Sequence, residues 1–307
     1  MHYNPWTYAD EYLTFVARED GTFQLSRNAV SYSLDNGETW ATLTAGTSSP
    51  TVAAGEKILW KGELTPSPSY GIGTFSATGN FDVQGNVMSL LYGDNFKGQT
   101  DLTGKEYAFF QLFRDNIKVV NTENLSLPAT TLSGYCYSQM FYNCTSLAKT
   151  PVLPATTLAQ GCYNYMFYNC TSMTTAPELP ATTLAYSCYS SMFSSCTRLE
   201  TAPELPATTL ANYCYVYMFS NCTSLTTAPI LPATTLANNC YESMFAGCTN
   251  LNYIKAMFTT TPSTTYTYRW VNGVSSTGTF VKNSAATWTN TGNYAVPNGW
   301  TVETANS

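Results

Sequence analysis

The chain has 307 residues, enough for two or three domains with a sizeable core, and a formal net charge of −6. Only 10% of its residues are charged, against roughly 25% in an ordinary globular domain, and Thr, Ser, Asn and 23 Tyr take their place. This balance excludes a basic footprint for nucleic acid and a polybasic membrane patch. No run of about 18 apolar residues offers a bilayer-spanning helix, so no membrane insertion is expected. The start, MHYNPWTYADEYLTF, has no basic segment followed by an apolar one, which argues against a Sec signal peptide.

Residues 1–100 read as a β-rich N-terminal domain, a small β-sandwich. From residue 12 onward, alternating runs such as TFVA, TFQL, VSYSL, KILWKGEL and NVMSLLY are separated by Gly, Asn and Pro turns. Within it, Ser33-Leu34-Asp35-Asn36-Gly37-Glu38-Thr39-Trp40 fits SxDxGxTW. It resembles the Asp-box of sialidases and other propellers. There the motif is structural: Asp35 and Gly37 would set a hairpin turn and Trp40 would pack beneath it. One copy does not make a sialidase.

Residues 101–258 are dominated by a repeat. LPATTL begins at Leu127, Leu153, Leu179, Leu205 and Leu231, a step of 26 residues. Two cysteine columns keep the same step: Cys136, Cys162, Cys188, Cys214, Cys240, and Cys144, Cys170, Cys196, Cys222, Cys248. These columns hold all ten cysteines. In the first unit, Cys136, Met140, Phe141 and Cys144 fall at i, i+4, i+5 and i+8, the spacing of one helical face. A short extended piece then runs to Pro151 and Pro154, where proline ends regular pairing. Each unit therefore reads as a turn or two of helix, a short strand and a proline corner, about five units stacked as a solenoid. YAFFQLFRDNIKVV, within residues 107–126, reads as a degenerate N-cap, with Ala108 and Asn116 at the cysteine positions. Residues 259–307 read as an exit linker and a short β-rich C-terminal segment anchored by Trp270, Trp288 and Trp300. The overall class is α+β.

The stretches MFYNCTSL (140–147), MFYNCTSM (166–173), MFSSCTRL (192–199), MFSNCTSL (218–225) and MFAGCTNL (244–251) resemble the BspA-like class of leucine-rich repeats, with its AFxGCxSL signature. The resemblance implies a leucine-rich-repeat-like solenoid. The 26-residue unit and the second cysteine depart from that class.

The cysteines admit three readings. Zinc would call for CxxC pairs or nearby His, yet the spacing is Cx7C and the one His is His2. A disulfide needs Cα atoms about 4.4–6.8 Å apart, less than a helical eight-residue offset or a helix–helix separation provides. Buried free thiols, acting as small hydrophobes, are the favoured reading. No metal and no cofactor is expected. Nucleophilic catalysis lacks a base beside the nucleophile. Paired carboxylates at Glu178 and Glu204 are conceivable for glycoside cleavage but read better as a solvated ladder, so no enzyme activity is expected. The sequons at Asn143, Asn169 and Asn221 are by-products of the repeat, and the repeated Tyr137, Tyr163, Tyr189, Tyr215 and Tyr241 suit packing.

What varies between copies points to recognition. Tyr142, Tyr165, Tyr168, Tyr213 and Tyr217 are the candidate ligand-binding residues, because tyrosine supplies contact area at low entropy cost. The expected function is binding and display: a bacteriophage virion protein decorating capsid or tail, or a bacterial cell-surface adhesin. The block from Gly62 to Phe113 resembles stretches in proteins of gut anaerobic bacteria and their phages. Expected partners are other virion proteins or a host-surface glycan or protein, with homo-oligomers possible. The aromatic stretch from His2 to Tyr12 reads as an attachment segment, or as cover for a sheet edge.

Overall fold

A computed structural model describes residues 8–305; of the proposed attachment segment, the positions up to residue 7 lie outside the described residues. Residues 13–126 contain β1 (Leu13–Ala17), β2 (Phe23–Leu25), β3 (Val30–Ser33), β4 (Ala41–Leu43), β5 (Lys57–Lys61), β6 (Phe75–Ala77), β7 (Phe81–Asn86) and β8 (Val119–Ser126). Six of these form one sheet in the order β4-β3-β5-β1-β7-β8. Its pairings are antiparallel except β7–β8, which is parallel. Opposite β1 lies a ribbon made of β2 and β6. The layers meet through aromatic rings: Phe15 lies 5.3 Å from Phe23, 4.9 Å from Phe75 and 5.5 Å from Trp60. Phe113, from the first repeat-like coil, joins them 5.7 Å from Phe15. The N-terminal region and the repeats thus share one core and, through β8, one sheet.

The SxDxGxTW segment is the hairpin between β3 and β4. Asp35 accepts from the Thr39 amide at 2.9 Å and from the Ser33 hydroxyl at 2.7 Å, and Trp40 Nε1 donates to the Gly37 carbonyl at 3.1 Å. Hydrogen bonds from Thr39 and then Ser33 hold the exposed Asp35 carboxyl down at about 2. Asn36 and Gly37 both take positive φ, as a tight hairpin turn requires.

From residue 107 the chain forms stacked coils. Within the first full unit, Tyr135, Tyr137, Gln139, Phe141 and Asn143 donate their amides to Gln160, Cys162, Asn164, Met166 and Tyr168 of the next coil, at 2.7–3.0 Å. The residues between them, Cys136, Ser138, Met140, Tyr142 and Cys144, donate three residues back within their own coil. Every fourth residue has positive φ: Tyr135 (56°), Gln139 (56°) and Asn143 (59°), then Gly161, Tyr165 and Asn169. This is a ribbon of tight turns, with positive φ recurring at the third position of alternate turns, as in type II.

The helix expected in each unit is therefore absent: the described residues contain only the single-turn helices α1 (Ser89–Tyr92) and α2 (Thr264–Thr267) and a 3-10 turn at Gly93–Asn95. The α+β reading fails on this point. The apolar positions Cys136, Met140 and Cys144 repeat every four residues, not 3.6. Half of the amides serve the neighbouring coil, which a helix would not allow. Gly161→Ala distinguishes the two conformations by sign. In a helix the change stabilises by about 1 kcal/mol. Here φ is +57° and a new Cβ would overlap the Tyr135 ring. We expect a loss of about 1–2 kcal/mol, read as a lower urea midpoint.

Interiors repeat as columns. Tyr137, Tyr163, Tyr189, Tyr215 and Tyr241 stack with ring centroids 5.8–6.0 Å apart. Phe113, Phe141, Phe167, Phe193, Phe219 and Phe245 stack at 5.4–5.8 Å. The extended side of each coil carries few ladder bonds, and the short strand expected in each unit is reduced to isolated bridges such as Thr157–Thr183 and Thr175–Thr201. Prolines with no N–H explain this.

Both ends carry the stack further than the sequence pattern shows. Tyr107, Phe109, Gln111, Phe113 and Asp115 bond to the first unit as the units bond to one another, so the degenerate N-cap is a full coil. Past residue 258, where the repeat was expected to give way to a linker, Asn239, Tyr241, Ser243, Phe245 and Gly247 donate to Thr265, Tyr266, Tyr268, Trp270 and Asn272. Arg269 and Gly273 keep the positive φ of their columns. β9 (Tyr253–Ala256), β10 (Thr279–Asn283) and β11 (Thr301–Ala305) then pair in parallel. Trp270, Trp288 and Trp300 are buried there.

Candidate functional site

The turn ribbon presents one long face. Tyr142 and Tyr168 stack at 4.7 Å, and Tyr165 lies 5.7 Å from Tyr168 and 6.3 Å from Tyr142. The Arg114 guanidinium sits 4.5 Å over the Tyr142 ring. These three tyrosines are half-buried and form one cluster. Tyr213 and Tyr217 stand apart from it, two coils further along; Tyr217 is 41% exposed and Tyr213 packs 5.2 Å from Tyr186. The five candidates thus share a face but make two groups. Between them the same columns carry Ser187, Ser191 and Ser194.

The ten cysteines are unpaired and buried. In the second column each thiol from Cys144 onward meets the carbonyl of a phenylalanine in the preceding coil: Cys144 to Phe113 at 3.0 Å, Cys170 to Phe141 at 3.2 Å, Cys196 to Phe167 and Cys222 to Phe193 at 3.1 Å, and Cys248 to Phe219 at 2.9 Å. The column thus ties coil to coil through its Sγ–H donors. Burial pushes the thiols of Cys136, Cys188, Cys196, Cys240 and Cys248 up to about 12, and moves Cys144, Cys162, Cys170, Cys214 and Cys222 in the same direction. A neutral, enclosed thiol is neither nucleophile nor ligand. Among the described residues no cluster of His, Cys, Asp and Glu is arranged to hold a metal ion. No helix among them is long and apolar enough to cross a membrane.

A second surface went unread in the sequence. On the extended side of the coils, burial alternates: Pro177, Leu179, Pro203 and Leu205 point in, while Glu178, Pro180, Glu204 and Pro206 point out. Two adjoining grooves of about 480 and 310 Å³ run between these coils and on to Pro229 and Pro232. Val152 and Ile230 hold the outward position in the flanking coils and are 40% and 54% exposed. The available signal was charge scarcity. Between residues 150 and 241 the charged residues are Glu178, Arg198, Glu200 and Glu204, and two of the three glutamates line this groove.

Comparison with known proteins bears on the repeats. Residues 135–272 match the family model described as BspA type Leucine rich repeat region, in six copies. No curated protein and no solved structure matches the chain. The match begins at the first positive-φ residue of the first unit and ends in the coil containing Trp270, so it covers the inter-coil bonding except for the coil that starts at Tyr107. The likeness to BspA-type leucine-rich repeats thus rests on residues 135–272, somewhat less than half of the chain.

Proposed function

We propose that this is a non-enzymatic binding and display protein that holds a host-surface glycan or protein against its tyrosine-bearing turn face. The observation that carries the reading is the Tyr142–Tyr165–Tyr168 cluster, built on a ribbon whose amides are committed in alternation to the neighbouring coil and to their own. Such rings are held in place before any ligand arrives, which lowers the entropy lost on binding. BspA-type leucine-rich repeats suit a protein-binding or adhesive role. The carrier we infer is a bacteriophage virion, where other virion proteins would anchor the N-terminal region; the alternative is a bacterial cell surface. The unpaired thiols support the virion: a chain that folds in a reducing cytoplasm and leaves by lysis closes its cysteines away before meeting an oxidant.

One preparation tests both parts. The protein is expected in purified virions and not in washed cell envelopes. Replacing Tyr165, Tyr168 and Tyr217 together by Ser is expected to shift the melting temperature by only a few degrees, since all three are at least partly exposed. Attachment to host cells should fall about tenfold or more. Unchanged attachment by the folded triple variant removes the turn face from the reading.

A further inference from the structure

We infer that the proline-lined groove on the extended side of the coils is a second binding site, distinct from the turn face, and that its occupant is an extended peptide carrying an arginine between aliphatic residues. Three observations carry this.

The first is shape and lining. The groove spans three successive coils, with walls of Pro177, Pro180, Pro203 and Pro206. Proline rings are rigid and lose little entropy when covered. The exposed Ile230 and Val152 give the strip an apolar patch beyond either side of its acidic centre.

The second is charge. Glu178 and Glu204 are equivalent positions of adjacent coils, 26 residues apart in the chain. The ring columns of these coils repeat at 5.7–6.0 Å, so the two glutamates hold equivalent outward positions one coil apart and line the same groove. Among the described residues neither has an ion pair or a hydrogen bond. Like charges facing one another across adjacent strands destabilise a fold. A planar guanidinium has enough N–H donors to serve both carboxylates at once, which an ammonium point charge does less well.

The third is the backbone. Among the described residues the amides of Glu178 and Glu204 bond to no other group, because the prolines on either side prevent a ladder between these coils. An extended chain laid in the groove brings carbonyl acceptors for them. The column therefore reads aliphatic, acidic, acidic, aliphatic from Val152 to Ile230, and its complement is an arginine with an aliphatic residue on each side.

The probes are a seven-residue peptide with arginine at its centre, leucine two residues to either side and serine elsewhere, so that in an extended chain all three side chains face the groove, the same peptide with citrulline for arginine, and calcium alone, each titrated by calorimetry into the full-length protein. Binding of the arginine peptide is expected, weakened at least tenfold by citrulline and by raising the salt from 50 to 500 mM. Because Glu178 and Glu204 are exposed and of like charge, Glu178→Gln with Glu204→Gln should leave the circular dichroism unchanged and the melting temperature no lower, while weakening the peptide at least tenfold. Val152→Ser with Ile230→Ser should weaken it with the carboxylates intact. The Tyr165, Tyr168 and Tyr217 variant should bind the peptide normally, which separates failure of this proposal from failure of the turn-face reading. Absence of peptide binding, equal binding by the glutamine variant, or calcium binding that the glutamine variant abolishes without peptide binding would each overturn it.

Discussion

Raising the pH through 9 is expected to unfold the protein within roughly one to two pH units. The cause is the ten buried thiols. In the unfolded chain they ionise near pH 9; in the coils burial holds them neutral up to about 12 or beyond. Above pH 9 the unfolded chain therefore binds fewer protons than the folded one, and stability falls as pH rises. Each thiol removes about 1.4 kcal/mol per pH unit in that window. Ten acting together remove on the order of 14 kcal/mol per unit, comparable to the whole stability of a typical domain, about 5–15 kcal/mol. The buried tyrosine column acts in the same direction, since burial also raises Tyr163 and Tyr189. Near-ultraviolet circular dichroism should be flat from pH 7 to 9 and collapse by about pH 11, with iodoacetamide labelling rising from few sites to nearly ten over the same interval. A native spectrum at pH 11, or fewer than about five thiols labelled afterwards, would mean that the cysteines are oxidised or paired.

Phe193→Ala is expected to cost about 3–5 kcal/mol, the largest effect of a single substitution considered for this chain. Phe193 is fully buried at mid-stack, 5.8 Å from Phe167 and 5.7 Å from Phe219. Its carbonyl also accepts the Cys222 thiol at 3.1 Å. Deleting the ring leaves a void bounded by two rings that cannot close together, because the backbones of their coils are held at fixed spacing by inter-coil hydrogen bonds. A stack lacks long-range contacts to compensate, since each unit touches only its neighbours. Urea unfolding should show this loss, and it should become biphasic if the stack separates at the damaged coil. A loss below about 1 kcal/mol would mean that the coils slide to refill the space.

The repeat was legible in the chain because a stack is specified locally. Leu127 and its equivalents, the cysteine columns and the Met-Phe pairs recur at one step, and residues that recur at one step come to lie over one another when the coils close. That was enough to assign the columns, to expect buried free thiols, and to read the tyrosine and phenylalanine columns as packing. It also sufficed to place Tyr142, Tyr165, Tyr168, Tyr213 and Tyr217 outside the core. The conformation of the ribbon was not legible. Over the eight residues from Cys136 to Cys144, a period of four and a period of 3.6 differ by less than one position. What decides between them is where the amides go, and the acceptors lie 25 residues away in the next coil. The same reason hid the coil around Trp270, which has lost both cysteines and keeps only the backbone pairing and the positive φ of Arg269 and Gly273. The proline groove depends on alternation within an extended segment and on the spacing between coils. Glu178 and Glu204 were legible as a solvated ladder at equivalent positions, but that they line one groove follows only when one coil is laid on another. By itself the sequence determined which residues share a column; tertiary stacking decided the backbone conformation and which columns face each other across a groove, because both are set by hydrogen bonds and distances between coils.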